Sequence, residues 1–286
     1  MRAIVLRALV CAAGTAFLPA AALVAQSPGA CADTSSVVTL PGTELRHLRS
    51  AETGRDYDIQ VSPPADYARN PAARYPVLYV LDGQWDFKLM LSVQGGLVYD
   101  RFTPQTIIVG ITWSGPNPNY DSLRAMDLTP EATRQLPGSG AAPRFLTFLK
   151  AELIPFVEAN YRTDPSRRVL MGSSFGGLFT LYTLFSDPSL FAAYVSASPA
   201  VTYANRAAFT QEAAYAAAHK ELPARLFVSV GEVEQLAGPV RQFMDVLRGR
   251  NYGRLTLETG VIAGERHAGN KPEAFNRGLR FVLGSR

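Results

Sequence analysis

From residue 77 to residue 283, short apolar runs alternate with stretches whose apolar residues recur every three or four positions. Few architectures accept that order. A run such as Val77-Leu78-Tyr79-Val80-Leu81 has no polar face, so both of its sides must be covered. The run 106–112 has the same character, and further strands are expected at 169–171, 193–197, 225–230 and 255–262. Between 143 and 161, Phe145, Phe148, Leu149, Leu153, Phe156 and Val157 share one helical face, which Pro155 is expected to kink. Helices are also expected at 175–185, 206–219, 240–247 and 272–283. Strands covered on both faces and separated by helices predict the α/β class, a central, mostly parallel sheet with helices on both sides. Ahead of this pattern, 37–40, 45–50 and 57–61 are short strand-like runs. Pro41-Gly42 and Glu52-Thr53-Gly54-Arg55 punctuate them, which predicts antiparallel strands at the N-terminal edge.

The 286 residues show no repeat and no linker, and Pro137-Gly138-Ser139-Gly140 reads as a loop. Residues 1–25 have the pattern of a secretory leader: Arg2 and Arg7, an apolar stretch over 8–24, and Ala25 as the cleavage residue, with a second option at 32. Residues 26–36 read as a disordered lead-in and 37–286 as a single catalytic domain. The leader predicts a periplasmic or extracellular protein. No other stretch reaches the roughly 18 apolar residues of a membrane span, so no stable span is expected once the leader is removed. Without Arg2 and Arg7 the formal charge of +4 falls to +2, too weak for a nucleic-acid footprint. Cys11 lies in the leader, which leaves Cys31 or no cysteine at all, so no intramolecular disulfide is expected in the mature chain.

The chemistry gathers at Gly172-Ser173-Ser174-Phe175-Gly176, between an expected strand and an expected helix. That context is what a nucleophile elbow requires. Ser174 would sit in a tight strand-to-helix turn that exposes Oγ, and Gly172 and Gly176 would let the crossing backbones approach. The N–H of Phe175 would face the site at a helix N-terminus, where negative charge is favoured. A glycine-rich turn with a serine cap is the plainer reading of the same five residues.

Two further positions favour the elbow. The chain order nucleophile, acid, base selects His267 in Gly264-Glu265-Arg266-His267-Ala268-Gly269-Asn270, since it alone of three histidines follows the last expected strand. The acid should follow the strand 225–230, where Gly231-Glu232-Val233-Glu234 offers two carboxylates. Glu234 is the preferred acid and Glu232 the alternative. A second oxyanion donor is expected after the 77–81 strand, from Gly83 or Gln84 in Asp82-Gly83-Gln84-Trp85.

With these residues in view, the chain resembles the putative-esterase group of α/β hydrolases, and most of all its enterochelin and salmochelin (siderophore trilactone) esterase-like branch. The resemblance rests on Tyr75-Pro76-Val77-Leu78-Tyr79-Val80-Leu81-Asp82-Gly83, Tyr161-Arg162-Thr163-Asp164, Gly172 to Gly177, Ser196 to Pro199 and His267. Arg124-Ala125-Met126-Asp127-Leu128-Thr129-Pro130 is similar to that branch's Arg-x-x-Asp-x-Thr-Pro stretch, expected as an ordered loop near the site. The resemblance covers about 37–283. It implies the α/β-hydrolase fold, a secreted serine ester hydrolase acting on a small-molecule ester, Ser174, His267 and Glu234 as catalytic residues, and Gly83 and Phe175 in the oxyanion hole. Two departures stand out. Ser173 replaces a common histidine, and Ala200-Val201-Thr202-Tyr203 follows Ser198-Pro199 where relatives carry Ser and Trp.

No cofactor or metal is expected, because H-E-x-x-H, paired-histidine, P-loop and dinucleotide-loop patterns are absent from the sequence. The same fold also serves acyl transfer, thioester cleavage and non-catalytic binding. The complete set Ser174, Glu234 and His267, in the right order, favours the hydrolase.

Overall fold

The computed structural model describes residues 37–284, so the expected leader (1–25) and lead-in (26–36) lie outside the described residues. From Leu40 onward the chain forms one compact unit. Its frame is an eight-stranded sheet: β1 (Glu44–Arg49), β2 (Asp56–Ser62), β3 (Tyr75–Val80), β4 (Ile107–Trp113), β5 (Thr163–Ser173), β6 (Ala193–Ala197), β7 (Arg225–Gly231) and β8 (Thr256–Ile262). The spatial order is β1-β2-β4-β3-β5-β6-β7-β8. β1 pairs antiparallel with β2 and β2 with β4, and every other neighbouring pair is parallel. This is the α/β-hydrolase arrangement, with its antiparallel edge at the N-terminal side as expected.

The helices are α1 (Gly83–Tyr99), α2 (Tyr120–Leu128), α3 (Ala142–Phe148), α4 (Ile154–Asn160), α5 (Phe175–Ser186), α6 (Tyr203–Ala218), α7 (Ala237–Arg250) and α8 (Lys271–Leu283). Successive side chains of a strand point to opposite faces. On β3 that rule divides the core: Val77 and Tyr79 join the cluster that packs α3 to α7, whereas Leu78 and Val80 join the cluster that contains Phe87 and Met90 of α1 and Phe275 and Leu279 of α8. α1 and α8 are tied further by Lys271 Nζ, 2.9 and 3.0 Å from the two carboxylate oxygens of buried Asp86.

Three expectations need correction, and one helix is new. Residues 37–40 are exposed and form no strand, because nothing among the described residues covers their apolar side chains. The stretch 83–99, to which no element is assigned above, is α1; Gly95-Gly96 interrupts its periodicity but meets nothing that would clash. The motif beginning at Arg124 is not a loop. Its first five residues, Arg124 to Leu128, end α2, with Thr129 as the C-cap; Asn119 caps the start of that helix by accepting a hydrogen bond from Ser122 N at 3.1 Å. The 143–161 helix is divided before Pro155: a wide π turn over Leu149–Leu153 separates α3 from α4, with Pro155 in the first turn of α4, where its missing N–H costs least.

Candidate active site

The loops that follow β3, β5, β6, β7 and β8 leave the sheet at the carboxyl ends of its parallel strands. Strand order reverses between β3 and β5, and ligands of open α/β sheets bind outside such a switch point. Ser174 is the turn between β5 and α5. Its φ of 61° and ψ of −117° place a non-glycine residue in sparsely populated backbone space. Ala197 O accepts from Ser174 N at 3.0 Å, and Ser174 O accepts from Ala200 N at 3.1 Å, so neighbouring loops hold the turn. A Cβ built on Gly172 would lie 2.6 Å from the backbone carbon of Gly176, and one on Gly176 would lie 3.2 Å from Asp82 Oδ2. Close approach of backbone therefore demands Gly172, while Gly176 supplies the crossing backbone and has itself only tight side-chain room. Gly172→Ala should cost about 1–3 kcal/mol or more in urea unfolding, since backbone rather than a flexible side chain must move.

Two donor positions flank the elbow. Phe175 is the first residue of α5, and Gly83 and Gln84 are the first two of α1, so their N–H groups have no acceptor within their own helices. Asp82 reaches the start of α1 with φ 55°. The missing Cβ of Gly83 is explained by packing: it would meet Ile111 N and Gln60 Oε1 at 2.9 Å. Gln84 Oε1 accepts from Thr112 Oγ1 at 2.8 Å, and its Nε2 is buried without a partner.

Arg124 of α2 joins these two segments. Its Nε and Nη2 donate to the Asp82 carboxylate at 2.9 and 2.7 Å, and its guanidinium carbon lies 5.4 Å from the ring centroids of both Trp85 and Phe175. Burial works against the Arg124 charge, yet Asp82 outweighs it and the guanidinium is held above its ordinary value. The formally neutral pair fixes both donor segments. On the other side of α2, Asp127 is fully buried and accepts from Arg55, Tyr57 Oη (2.7 Å) and Trp113 Nε1 (2.7 Å). The Arg-x-x-Asp spacing thus sends one side chain to the site and the other to an anchor on β2 and β4.

Of the two candidate acids, Glu234 meets the histidine: His267 Nδ1 lies 2.5 Å from Glu234 Oε2. The Glu234 side chain is 2% exposed, and its other oxygen accepts from Gly231 N (2.9 Å) and Ser198 Oγ (2.6 Å). Burial raises the carboxyl pKa, but hydrogen bonds from His267, Ser198 and Gly231 together with the His267 charge reverse that, and the net direction is down. Glu232 turns elsewhere, accepting from Gly264 N at 2.8 Å on the surface. The remaining histidines are engaged away from this cluster, His47 with Asp58 and His219 against Tyr215. Ser173 points inward and is 1% exposed.

Two open clefts border the cluster. One, of about 500 Å³, is lined by Val233, Glu234, Gln235, Leu236, Arg266 and His267. The other, of about 410 Å³, includes Leu136, Phe175, Tyr203 and Asn205. Phe175 and Tyr203 meet edge to face at 5.5 Å, so Tyr203 supplies an aromatic wall to this cleft. Ser198, which the sequence marks only as part of the Ser196–Pro199 stretch, thus touches the candidate acid directly. Among the described residues, no group of three or more His, Cys, Asp or Glu side chains could hold a metal ion, and no helix is long and apolar enough to cross a membrane.

Residues 50–247 match the family described as "Putative esterase". The chain belongs to this esterase family. It is 30% identical over 270 residues to the ferri-bacillibactin esterase BesA of Bacillus subtilis, covering 87% of this chain and 92% of that one. The solved BES protein of Bacillus cereus superposes with a TM-score of 0.79 at 28% identity, covering 90% of this chain and all of that one (100%). An IroE-like serine hydrolase of Shewanella oneidensis superposes at 0.76 with 26% identity, covering 84% and 80% of the two chains. The esterase is accordingly a serine ester hydrolase on an α/β-hydrolase fold, similar to siderophore esterases.

Proposed function

We propose that the esterase cleaves siderophore-type or other phenolic and short-acyl esters through an acyl-enzyme on Ser174. The observation that carries this reading is the 2.5 Å contact of His267 Nδ1 with a Glu234 carboxylate held in the ionised form, at the same sheet edge as the elbow serine. Glu234 keeps the proton of the neutral imidazole on Nδ1, which leaves the Nε2 lone pair as the base. Ser174 Oγ attacks the ester carbon while its proton passes to Nε2. The carbonyl π pair becomes an oxyanion that accepts hydrogen bonds from Phe175 N–H and from Gly83 or Gln84 N–H. Collapse breaks the bond to the leaving oxygen, which takes the proton from Nε2. A water, deprotonated by His267, then repeats the sequence on the acyl carbon and frees Ser174.

The substrate class draws support from the siderophore-esterase relative and from the site's shape. Between Ala200 and Arg225 only 24 residues intervene, and α6 occupies most of them, so no lid domain is inserted there. One open cleft beside the Phe175–Tyr203 pair and another beside His267 suit an exposed aromatic ester better than a long acyl chain, which calls for a buried tunnel. Specific activity across C2 to C16 p-nitrophenyl esters and a catecholate trilactone is the test. Activity should be highest on the short acyl groups and present on the trilactone, and a maximum at C12 or longer would refute the assignment. The leader-like segment supports action in the periplasm or outside the cell.

A further inference from the structure

Glu234 and His267 come from different loops, and one buried amide spans both. Asn270 is fully buried, and its Nδ2 lies 3.0 Å from Ser198 Oγ, 2.9 Å from Arg266 O and 2.8 Å from His267 O. Carbonyl oxygens only accept, so the amide nitrogen must face the two backbone groups. Its two hydrogens serve these two carbonyls and Ser198 Oγ together, one hydrogen being shared between two acceptors. Ser198, also fully buried, is left with its single hydroxyl hydrogen directed to Glu234 Oε1 at 2.6 Å. Gly231 N takes the second place on that oxygen at 2.9 Å. With Oε1 occupied, Oε2 remains the acceptor for His267 Nδ1.

The cost of this arrangement argues that it serves more than packing. Ser198 adopts φ 41°, which side-chain-bearing residues rarely visit, and Ser229 O fixes it there by accepting from its N–H at 2.7 Å. Asn270 Oδ1 is buried with no partner. An unsatisfied acceptor and a strained serine are poor ways to fill a core.

We infer that Ser198 and Asn270 are positioning residues: they lock the Glu234 carboxylate in one rotation and tie the His267 loop to it, so that the imidazole is held in one orientation. The inference rests on the reading of Ser174, His267 and Glu234 as the catalytic set. Without the Ser198 hydroxyl, Gly231 N is left as the one other donor on Oε1 to resist rotation about the broad terminal torsion of the carboxylate. Directed hydrogen bonds running Asn270 to Ser198 to Glu234 also polarise one another, which strengthens the acceptor offered to His267.

Ser198→Gly is the informative variant, because glycine accepts the positive φ and removes the hydroxymethyl group without new backbone strain. Its kcat should fall by about 10- to 100-fold with KM changed by less than about twofold. The far-downfield proton of the His267–Glu234 hydrogen bond should shift or disappear in its NMR spectrum. Ser198→Ala should behave alike where it folds. In a Glu234→Gln background, Ser198→Gly should add less than about a threefold further loss, since its effect passes through Glu234. A Ser198→Gly enzyme with wild-type kcat, or one that loses the same factor in both backgrounds, overturns the inference while leaving a severe Glu234→Gln, and the catalytic reading, intact. A mild Glu234→Gln overturns both together.

Discussion

Ser174→Ala is expected to lower kcat on an aryl ester by about 10³-fold or more, leaving only what binding and the oxyanion donors supply. No neighbouring hydroxyl can take over. Ser173 is buried with its Oγ inside the protein, and Ser198 is fully buried with its proton committed to Glu234. The fold should survive, because alanine replaces serine within the same held turn and Gly172 and Gly176 still permit the crossing. Circular dichroism and urea unfolding check that condition. A fluorophosphonate should label the wild-type chain once, at Ser174, and should not label the variant. Near-wild-type turnover in a folded Ser174→Ala protein would remove the acyl-enzyme mechanism from consideration.

Glu234→Gln is expected to lower kcat by about 10³- to 10⁴-fold, and Glu232→Gln to change it only a few-fold. The contrast follows from where the two carboxylates end. The Glu234 side chain is 2% exposed, and its carboxylate sits 2.5 Å from His267 Nδ1. A glutamine there offers no charge to the imidazolium and lets the wrong imidazole tautomer compete. Glu232 accepts from Gly264 N at the surface, so its loss loosens one loop and leaves the imidazole alone. Parallel kcat and KM measurements on the two variants decide the matter. Two mild variants would mean that a Ser–His dyad suffices, with the histidine oriented by something other than a carboxylate.

Much of the fold was legible because it is written in local terms. The double-sided apolar run of β3 requires cover on both faces wherever it lies in the sheet. The elbow can be read from five residues because its constraint is one backbone crossing another within that span, at Gly172 and Gly176. The identity of α1 was harder to see. Gly83 begins it from a left-handed Asp82, and Gly95-Gly96 breaks its apolar period, while burial against β4 and α8 overrides both. The Arg124 motif was recognisable by spacing, but a helix there depends on the Asn119 cap and on Asp127 finding Arg55, Tyr57 and Trp113 on other segments.

The sequence by itself determined the class of the sheet, the position of the elbow, and the order in which serine, acid and histidine occur. These depend on side-chain period and on steric limits within a few residues. Tertiary structure alone decided which of two acids, two residues apart, meets the histidine. It also decided that Tyr203 faces Phe175, that Arg124 bridges to Asp82, and that Asn270 reaches Ser198 across 72 positions of chain. The physical reason is one of range. Hydrogen bonds and ring contacts act over a few ångströms, and residues far apart in sequence come within that distance only after β5 to β8 align in parallel and bring their loops to one edge of the sheet.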